Sequence, residues 1–270
     1  MPARVQIAGA TTLVTGATGG LGRVIAAALR ARGARLILGG RRREELERLA
    51  SETRAAGVAV ADLAVGADVQ RLAEEAVAAG VEILIANAAL PASGLLVELG
   101  HDEIERMIDV NLRAPIMLAR TLAPAMISRG RGQIVFVSSL AGKVASPASS
   151  IYSATKFGLR GFALGLRADL HRHGVGVTVV SPGFISDAGM FARAGVPLPA
   201  GVGTRPPDAV AAAVIRAIER DPAELDVAPL SLRMGAVVGS VAPGLAAWGS
   251  RTLGSDRIAE QLADRQRGER

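Results

Sequence analysis

Near its amino terminus the chain reads Thr15-Gly16-Ala17-Thr18-Gly19-Gly20-Leu21-Gly22, directly after an apolar run. The apolar run predicts a strand over residues 12–15, and the segment after the glycines predicts a helix over about residues 21–32. Glycines at such a junction allow a tight turn and let a pyrophosphate approach the free N–H groups of a helix N-terminus. A plain glycine-rich turn is the alternative reading. The position between a strand and a helix favours a dinucleotide site.

Strand and helix patterns alternate along the rest of the chain. Further strands are predicted over residues 35–38, 58–61, 82–86, 133–137, 176–180 and 225–227. Further helices are predicted over about residues 43–56, 68–79, 102–111, 113–129, 151–172 and 207–220. Short apolar strands separated by helices are typical of a parallel sheet covered on both faces. We therefore expect residues 1–270 to form a single-domain α/β fold, a Rossmann-like doubly wound parallel sheet.

Composition narrows the class of protein. Half of the residues are apolar and 21% are charged, which excludes a disordered chain. The absence of cysteine excludes a disulfide scaffold and a thiolate metal site. His171 and His173 are two residues apart on a predicted helix end and face different directions, so no metal site is expected.

The charge pattern favours a small anionic ligand over nucleic acid. The formal net charge is +6, and residues 1–62 contribute ten Arg against five Asp and Glu. This excess lies beside the glycine-rich turn, whereas acids and arginines alternate elsewhere, as on a solvated surface. No targeting segment is evident, and the apolar stretch 234–248 is shorter than the roughly 20 residues of a membrane span. We expect a soluble, cytoplasmic protein.

A second stretch, Tyr152-Ser153-Ala154-Thr155-Lys156, carries candidate catalytic groups. Tyr152 is the only tyrosine of the chain, and residues four apart on a helix share a face. A phenol is a weak acid–base group at neutral pH, but a nearby ammonium would lower its pKa. Thirteen residues earlier, the hydroxyl of Ser139 follows a strand and could donate to a carbonyl oxygen. Considered alone, Ser139 could be a simple turn residue. Asn111, a further polar residue near the end of a predicted helix, could likewise be a simple helix cap.

Together these motifs resemble the short-chain dehydrogenase/reductase family, in its shorter single-domain branch. The resemblance covers the glycine pattern, the stretch Ala86-Asn87-Ala88-Ala89, the four residues Asn111, Ser139, Tyr152 and Lys156, and the loop Pro182-Gly183-Phe184-Ile185. It implies an oxidoreductase that transfers a hydride between nicotinamide and a carbonyl or secondary alcohol. Tyr152 would exchange the proton, Lys156 would bind the ribose and tune Tyr152, Ser139 would polarise the carbonyl, and Asn111 would support a relay water through its backbone.

The same resemblance implies a set of cofactor-binding residues. They are Gly16, Thr18, Gly20, Leu21, Gly22, Arg41, Asp62, Leu63, Asn87, Tyr152, Lys156 and Ile185. The chain departs from the family pattern at Ala89, where a glycine is usual, and at Asp187, where many members have threonine. A carboxylate beside a pyrophosphate is unfavourable unless it points away.

The end of the second strand indicates the type of nicotinamide cofactor. NAD-specific folds place an acid there for the ribose 2′-hydroxyl, whereas NADP needs a cation for its 2′-phosphate. In this chain Gly40 occupies the place of the acid, and Arg41 follows it. The arginines could instead be the solvated start of a helix, a reading that suits Arg43 better than Arg41. A guanidinium matches phosphate geometry, so we expect NADP(H) rather than NAD(H).

The remaining segments leave several questions open. Residues 186–206 are expected to form a substrate loop, and their apolar character hints at an apolar substrate, although core packing explains it as well. Within the C-terminal extension 229–270, residues 229–253 could line the pocket, form a dimer contact or rest on a membrane surface as an amphipathic element. The resemblance implies a homodimer or homotetramer built on the two long helices. A non-catalytic NADP(H) sensor is the alternative function, but such proteins usually lose the tyrosine or lysine.

Overall fold

The computed structural model describes residues 5–91, 94–196 and 202–242, together with residues 244 and 265. Its centre is a seven-stranded parallel sheet in the order β3-β2-β1-β4-β5-β6-β7. The strands are β1 Thr11–Thr15, β2 Arg35–Gly40, β3 Gly57–Val60, β4 Ile83–Ala86, β5 Gly132–Val137, β6 Val175–Pro182 and β7 Glu224–Val227. All seven predicted strands are present, and the predicted doubly wound fold is confirmed.

Helices cover both faces of this sheet. They are α1 Gly20–Ala31, α2 Arg43–Thr53, α3 Gly66–Ala78, α4 His101–Ile108, α5 Ala114–Ser128, α6 Ser150–Leu170, α7 Gly189–Ala194, α8 Pro207–Arg220 and α9 Leu230–Val241. One core cluster packs α1, α2 and α8 on the sheet, and the other packs α3, α5 and α6 on the opposite face. Every residue of β5 and β6 is buried, and most are apolar. The buried polar side chains of Gln133 and Thr178 hydrogen-bond to each other at 3.2 Å.

Two helices occur where the sequence predicted none. Helix α7 lies within the predicted substrate loop, and α9 lies within the predicted C-terminal extension. The segment of α9 is rich in β-branched residues and glycine, which have low helix propensity. Its inner face is held by tertiary packing, because Leu232 and Ala236 lie against Leu140. Residues 197–201 of the loop and most of the extension after 242 lie outside the described residues.

The helix boundaries also differ in detail. Helix α2 ends at Thr53 because Arg54 adopts a left-handed backbone conformation, with φ 49°. Helices α4 and α5 are joined by a π-helical turn, Asp109–Arg113, rather than separated by a loop. Among the described residues, no helix is both long enough and apolar enough to cross a membrane.

Candidate active site

The predicted site residues gather at the carboxyl ends of the central strands. Gly16 follows β1, Asn87 follows β4, Ser139 follows β5 and Ile185 follows β6. These four strands are neighbours in the sheet, and the strand order reverses direction between β1 and β4. Ligands of doubly wound sheets bind at such a reversal, beyond the carboxyl ends of the strands.

The glycine-rich turn has the geometry of an anion cradle. Gly16 has φ +63°, and a Cβ there would lie 2.8 Å from the Cα of Ala88. A Cβ on Gly22 would lie within 3 Å of the turn's own backbone, so α1 packs closely onto the turn. No side chain caps the N-terminus of α1, and its first turn contains no acid. The free N–H groups and helix dipole therefore fit the pyrophosphate of a dinucleotide.

Asn87 braces this turn from the neighbouring strand. Its side-chain Nδ2 donates to the carbonyl oxygens of Thr15, at 3.0 Å, and Gly16, at 3.2 Å. Its backbone N–H donates to Oγ1 of Thr15 at 3.1 Å. Asn87 thus fixes the end of β1 against the end of β4, a positioning role that the sequence resemblance had described only as cofactor binding.

Charged side chains gather beyond the carboxyl ends of β2 and β3. Arg41 follows β2 and its side chain is 55% exposed, while Asp62 follows β3. Two further arginines that the sequence analysis did not assign also lie here. Nη2 of Arg42 donates to Oγ1 of Thr18 at 3.2 Å, and Nη2 of Arg106 donates to Oδ2 of Asp62 at 3.0 Å. Arg42 could have been suggested by its position beside Arg41, but no local pattern points to Arg106.

Leu63, which the resemblance assigns to cofactor binding, is half-buried and packs against the α3–α5–α6 core cluster. Leu21, at the start of α1, packs against the other core cluster and lies near the backbone of Gly189.

Tyr152 and Lys156 lie on one face of α6, as predicted. Nζ of Lys156 is 5.7 Å from the centre of the Tyr152 ring and donates to the carbonyl oxygen of Val137 at 3.1 Å. Burial lowers the pKa of Lys156 to about 8. Burial raises the pKa of Tyr152, and a hydrogen bond with Ser139 opposes that rise. The phenol is therefore predominantly protonated at neutral pH in this state.

Ser139 is held in place by the turn that it begins. Its Oγ accepts a hydrogen bond from the backbone N–H of Ala141 at 3.1 Å, at the start of the 3₁₀ turn Leu140–Gly142. A Cβ on Gly142 would lie 2.7 Å from the carbonyl oxygen of Lys156, so this turn packs tightly on α6. The packing brings the hydroxyl of Ser139 to Tyr152.

Asn111 lies in the π-helical turn and is 1% exposed. Its Oδ1 accepts from the N–H of Leu90 at 2.7 Å, and its Nδ2 donates to the carbonyl of Leu90 at 3.0 Å. Both side-chain groups are thus engaged in holding the loop after β4. A π turn interrupts the regular helical hydrogen bonding. The side-chain amide of Asn111 is thus committed to Leu90, and the relay role of its backbone stays a prediction.

The loop after β6 folds back over the glycine-rich turn. Ile185 is 4% exposed and forms a parallel bridge with Arg205. A Cβ on Gly20 would lie 2.7 Å from the backbone nitrogen of Gly189, so the two segments touch. Asp187 is exposed and has φ +60°. Asp tolerates this left-handed conformation better than the β-branched Thr, which gives a physical reason for the departure noted at this position.

Among the described residues, no group of three or more His, Cys, Asp or Glu side chains could hold a metal ion.

Comparisons with known proteins agree with this geometry. The sequence model of the short chain dehydrogenase family matches residues 10–195. Dehydrogenase/reductase SDR family member 7B of Bos taurus is 38% identical over 194 residues, which are 67% of this chain and 60% of that protein. Ketoacyl reductase HetN of a Nostoc species is 34% identical over 227 residues, covering 82% of this chain and 79% of the relative.

A solved structure is also similar. The short-chain dehydrogenase from Sphingobium yanoikuyae in complex with NADPH superimposes with a TM-score of 0.76 and 30% identity, covering 88% of this chain and 95% of that one. The chain therefore belongs to the short-chain dehydrogenase family of oxidoreductases, as its motifs predicted.

Proposed function

We propose that this protein is an NADP(H)-dependent oxidoreductase that interconverts a carbonyl and a secondary alcohol. The observation that carries the proposal is the arrangement of Ser139, Tyr152 and Lys156. A serine hydroxyl hydrogen-bonds to the only tyrosine, and a buried ammonium lies against the tyrosine ring. A hydroxyl pair beside a cation suits proton transfer to an oxygen on which negative charge develops.

The chain's own groups would each have one task. Bound nicotinamide would supply or accept the hydride. Ser139 would donate a hydrogen bond to the substrate oxygen, and the phenol of Tyr152 would deliver the proton to the same oxygen during reduction. The ammonium of Lys156 would stabilise the resulting phenolate and bind the ribose. The backbone at Asn111 would support the water that returns a proton to the site.

NADP(H) is favoured over NAD(H) as the cofactor. The similar structure from Sphingobium yanoikuyae contains NADPH. In this chain Gly40 leaves no carboxylate at the end of β2, and Arg41 follows with an exposed guanidinium. The turn residues Gly16, Thr18, Gly20 and Gly22 would cradle the pyrophosphate, as the free N-terminus of α1 allows.

The substrate is proposed to be small and apolar. Helix α7 places Phe191 against Phe184, with ring centres 4.8 Å apart, beside the loop that carries Ile185. This aromatic pair offers apolar surface next to the proposed nicotinamide position. The similarity to a ketoacyl reductase makes 3-ketoacyl thioesters a reasonable class to include among test compounds.

We further propose a homodimer or homotetramer and a single functional domain over residues 1–270. Met117 on α5 and Phe157 on α6 are 48% and 41% exposed, which gives the two long helices apolar surface for a second copy. The cytoplasmic location expected from the sequence stays a prediction.

The test is NADPH oxidation by wild-type protein and the Y152F variant with ketones, aldehydes, quinones and 3-ketoacyl thioesters. We expect Y152F to lose about 10²–10⁴-fold in turnover, because general acid catalysis is removed. NADPH binding should persist within about threefold, because the ring remains. Ser150, which is exposed at the start of α6, supplies the matched control S150A, which should keep its activity. Turnover that survives in Y152F would contradict the mechanism, and NADPH binding without turnover on any compound would favour the sensor.

A further inference from the structure

Three charged residues, Arg41, Asp62 and Arg106, meet beyond the carboxyl ends of β2 and β3. Arg106 on α4 hydrogen-bonds to Oδ2 of Asp62 at 3.0 Å. Nη1 of Arg41 lies 4.0 Å from the same oxygen, which is too long for a hydrogen bond. Asp62 is therefore committed to Arg106, and Arg41 keeps its N–H donors for another acceptor.

Asp62 has a carboxylate oxygen 4.0 Å from Arg41, the residue proposed to hold a 2′-phosphate. Partial burial favours its neutral form, but hydrogen bonds from Ala64 and Arg106 and the charges of Arg106 and Arg41 outweigh burial, so its pKa lies below the ordinary value. It is thus an anion at neutral pH. An uncompensated carboxylate here would attract the guanidinium of Arg41 and repel a phosphate dianion.

Arg106 is better placed than Arg41 to hold Asp62. Its side chain is 33% exposed, against 55% for Arg41, so its charge is less screened by solvent. The neighbouring Met107 is fully buried and anchors α4 to the rest of the protein. Arg41 lies at the open end of β2, where its long side chain can turn to a ligand.

We propose that Arg106 determines cofactor specificity by neutralising Asp62, which leaves Arg41 available for the 2′-phosphate of NADP(H). Arg106 is a positioning residue, since it acts through Asp62 and Arg41 and need not touch the cofactor. The inference rests on the proposed function, which supplies the cofactor. The inference goes beyond the proposed function because it gives Arg106, a residue on α4, a role in the choice between NADP(H) and NAD(H).

The experiment compares two ligands that differ only in the 2′-phosphate. Adenosine 2′,5′-bisphosphate and adenosine 5′-monophosphate are titrated into wild-type and R106Q protein by calorimetry. In R106Q we expect about a tenfold loss of affinity for the bisphosphate and less than about a threefold change for the monophosphate, because a carboxylate charge is exposed beside the 2′-phosphate. The loss of bisphosphate affinity in R106Q should be smaller at high salt, because salt screens the repulsion.

A second variant separates electrostatics from misfolding. In R106Q/D62N the charge that Arg106 neutralises is gone, so the preference for the bisphosphate should return to within about threefold of wild type. R131Q is the matched control, because Arg131 pairs with Glu82 at 2.7 Å at the opposite, amino-terminal edge of the sheet. It should bind both ligands like wild type.

The possible results test the role of Arg106 separately from the proposed function. Equal losses for both ligands in R106Q, or no recovery in the double variant, would overturn the role of Arg106 while leaving the proposed function intact. Wild-type protein that binds neither nucleotide nor NADPH would overturn the proposed function and, with it, this inference.

Discussion

The ammonium group of Lys156 is buried away from water. Its side chain is 2% exposed, and burial lowers its pKa from 10.5 to about 8. Between pH 8 and 10.5 the lysine is protonated in the unfolded chain but deprotonated in the folded chain. The contribution of Lys156 to the free energy of unfolding therefore rises with pH. Below pH 8 the buried ammonium makes the folded state less stable by about 3 kcal/mol than an unshifted lysine would. The proposed catalytic role accounts for keeping such a group.

Replacing Lys156 by methionine in K156M removes this buried charge. The variant should lose most turnover, yet its stability relative to wild type should be greatest at pH 7 and should fall by about 3 kcal/mol by pH 10.5. Urea unfolding of both proteins across this pH range measures the difference. Titrating groups distant from Lys156 are common to both proteins and cancel, and repeating the comparison in the Y152F background removes the contribution of Tyr152, whose ring centre lies 5.7 Å from Nζ of Lys156. A stability difference that is the same at every pH would show that Lys156 is not desolvated as described.

At the scale of elements, the turn that presents Ser139 is tied to the edge of the sheet. Lys143 follows this 3₁₀ turn, and its Nζ lies 2.7 Å from Oδ1 of Asp226 and 3.5 Å from Oε2 of Glu224, both on β7. Arg160 on α6 completes the group with two hydrogen bonds to Glu224. All four side chains are at most 30% exposed. One ionic cluster therefore joins the turn, α6 and β7.

Removing the cation of this cluster should be costly. We expect K143M to lower the free energy of unfolding by about 3 kcal/mol, because it leaves the carboxylate of Asp226 buried without its partner. The double variant K143M/D226N should recover part of the lost free energy of unfolding, because the unpaired carboxylate of Asp226 is removed. Denaturant unfolding provides the values.

The matched control for Lys143 is R32Q. Arg32 pairs with Glu219 between α1 and α8, but both side chains are about half exposed. This change should therefore lower stability by less than about 1 kcal/mol. A K143M protein as stable as R32Q would contradict the buried-cluster interpretation.

At the scale of the whole molecule, the described surface has apolar side chains on the two long helices. Met117 and Phe157 are the exposed large apolar residues of α5 and α6. If these helices pair with a second copy, the double variant M117E/F157E should be monomeric, because burying carboxylates without partners is unfavourable. Light scattering after size exclusion gives the mass of each protein.

A control for added charge comes from α9, where V241E alters a side chain that is 81% exposed. It should leave the mass of the wild-type oligomer unchanged. A wild-type protein that is monomeric, or an M117E/F157E protein that stays oligomeric, would contradict pairing through α5 and α6.

The alternation of strands and helices and most residues of the proposed catalytic site could be predicted from the sequence alone. Alternating strand and helix patterns are local, and parallel strands necessarily bring their carboxyl ends to one edge. Residues that follow strands, such as Gly16, Asn87 and Ser139, were therefore predictable. Tyr152 and Lys156 share one helix, so their spacing alone placed them on one face.

The pairing of side chains that are distant in the sequence could not be predicted and follows from the tertiary structure. Arg106 reaches Asp62 across 44 residues, and Asn111 engages Leu90 across 21. The cluster around Lys143 and helix α9 likewise depend on packing between elements. The physical reason is common to these cases. Such pairings depend on where each helix lies against the sheet, which no local periodicity encodes, whereas turns and helix faces follow from neighbouring residues alone.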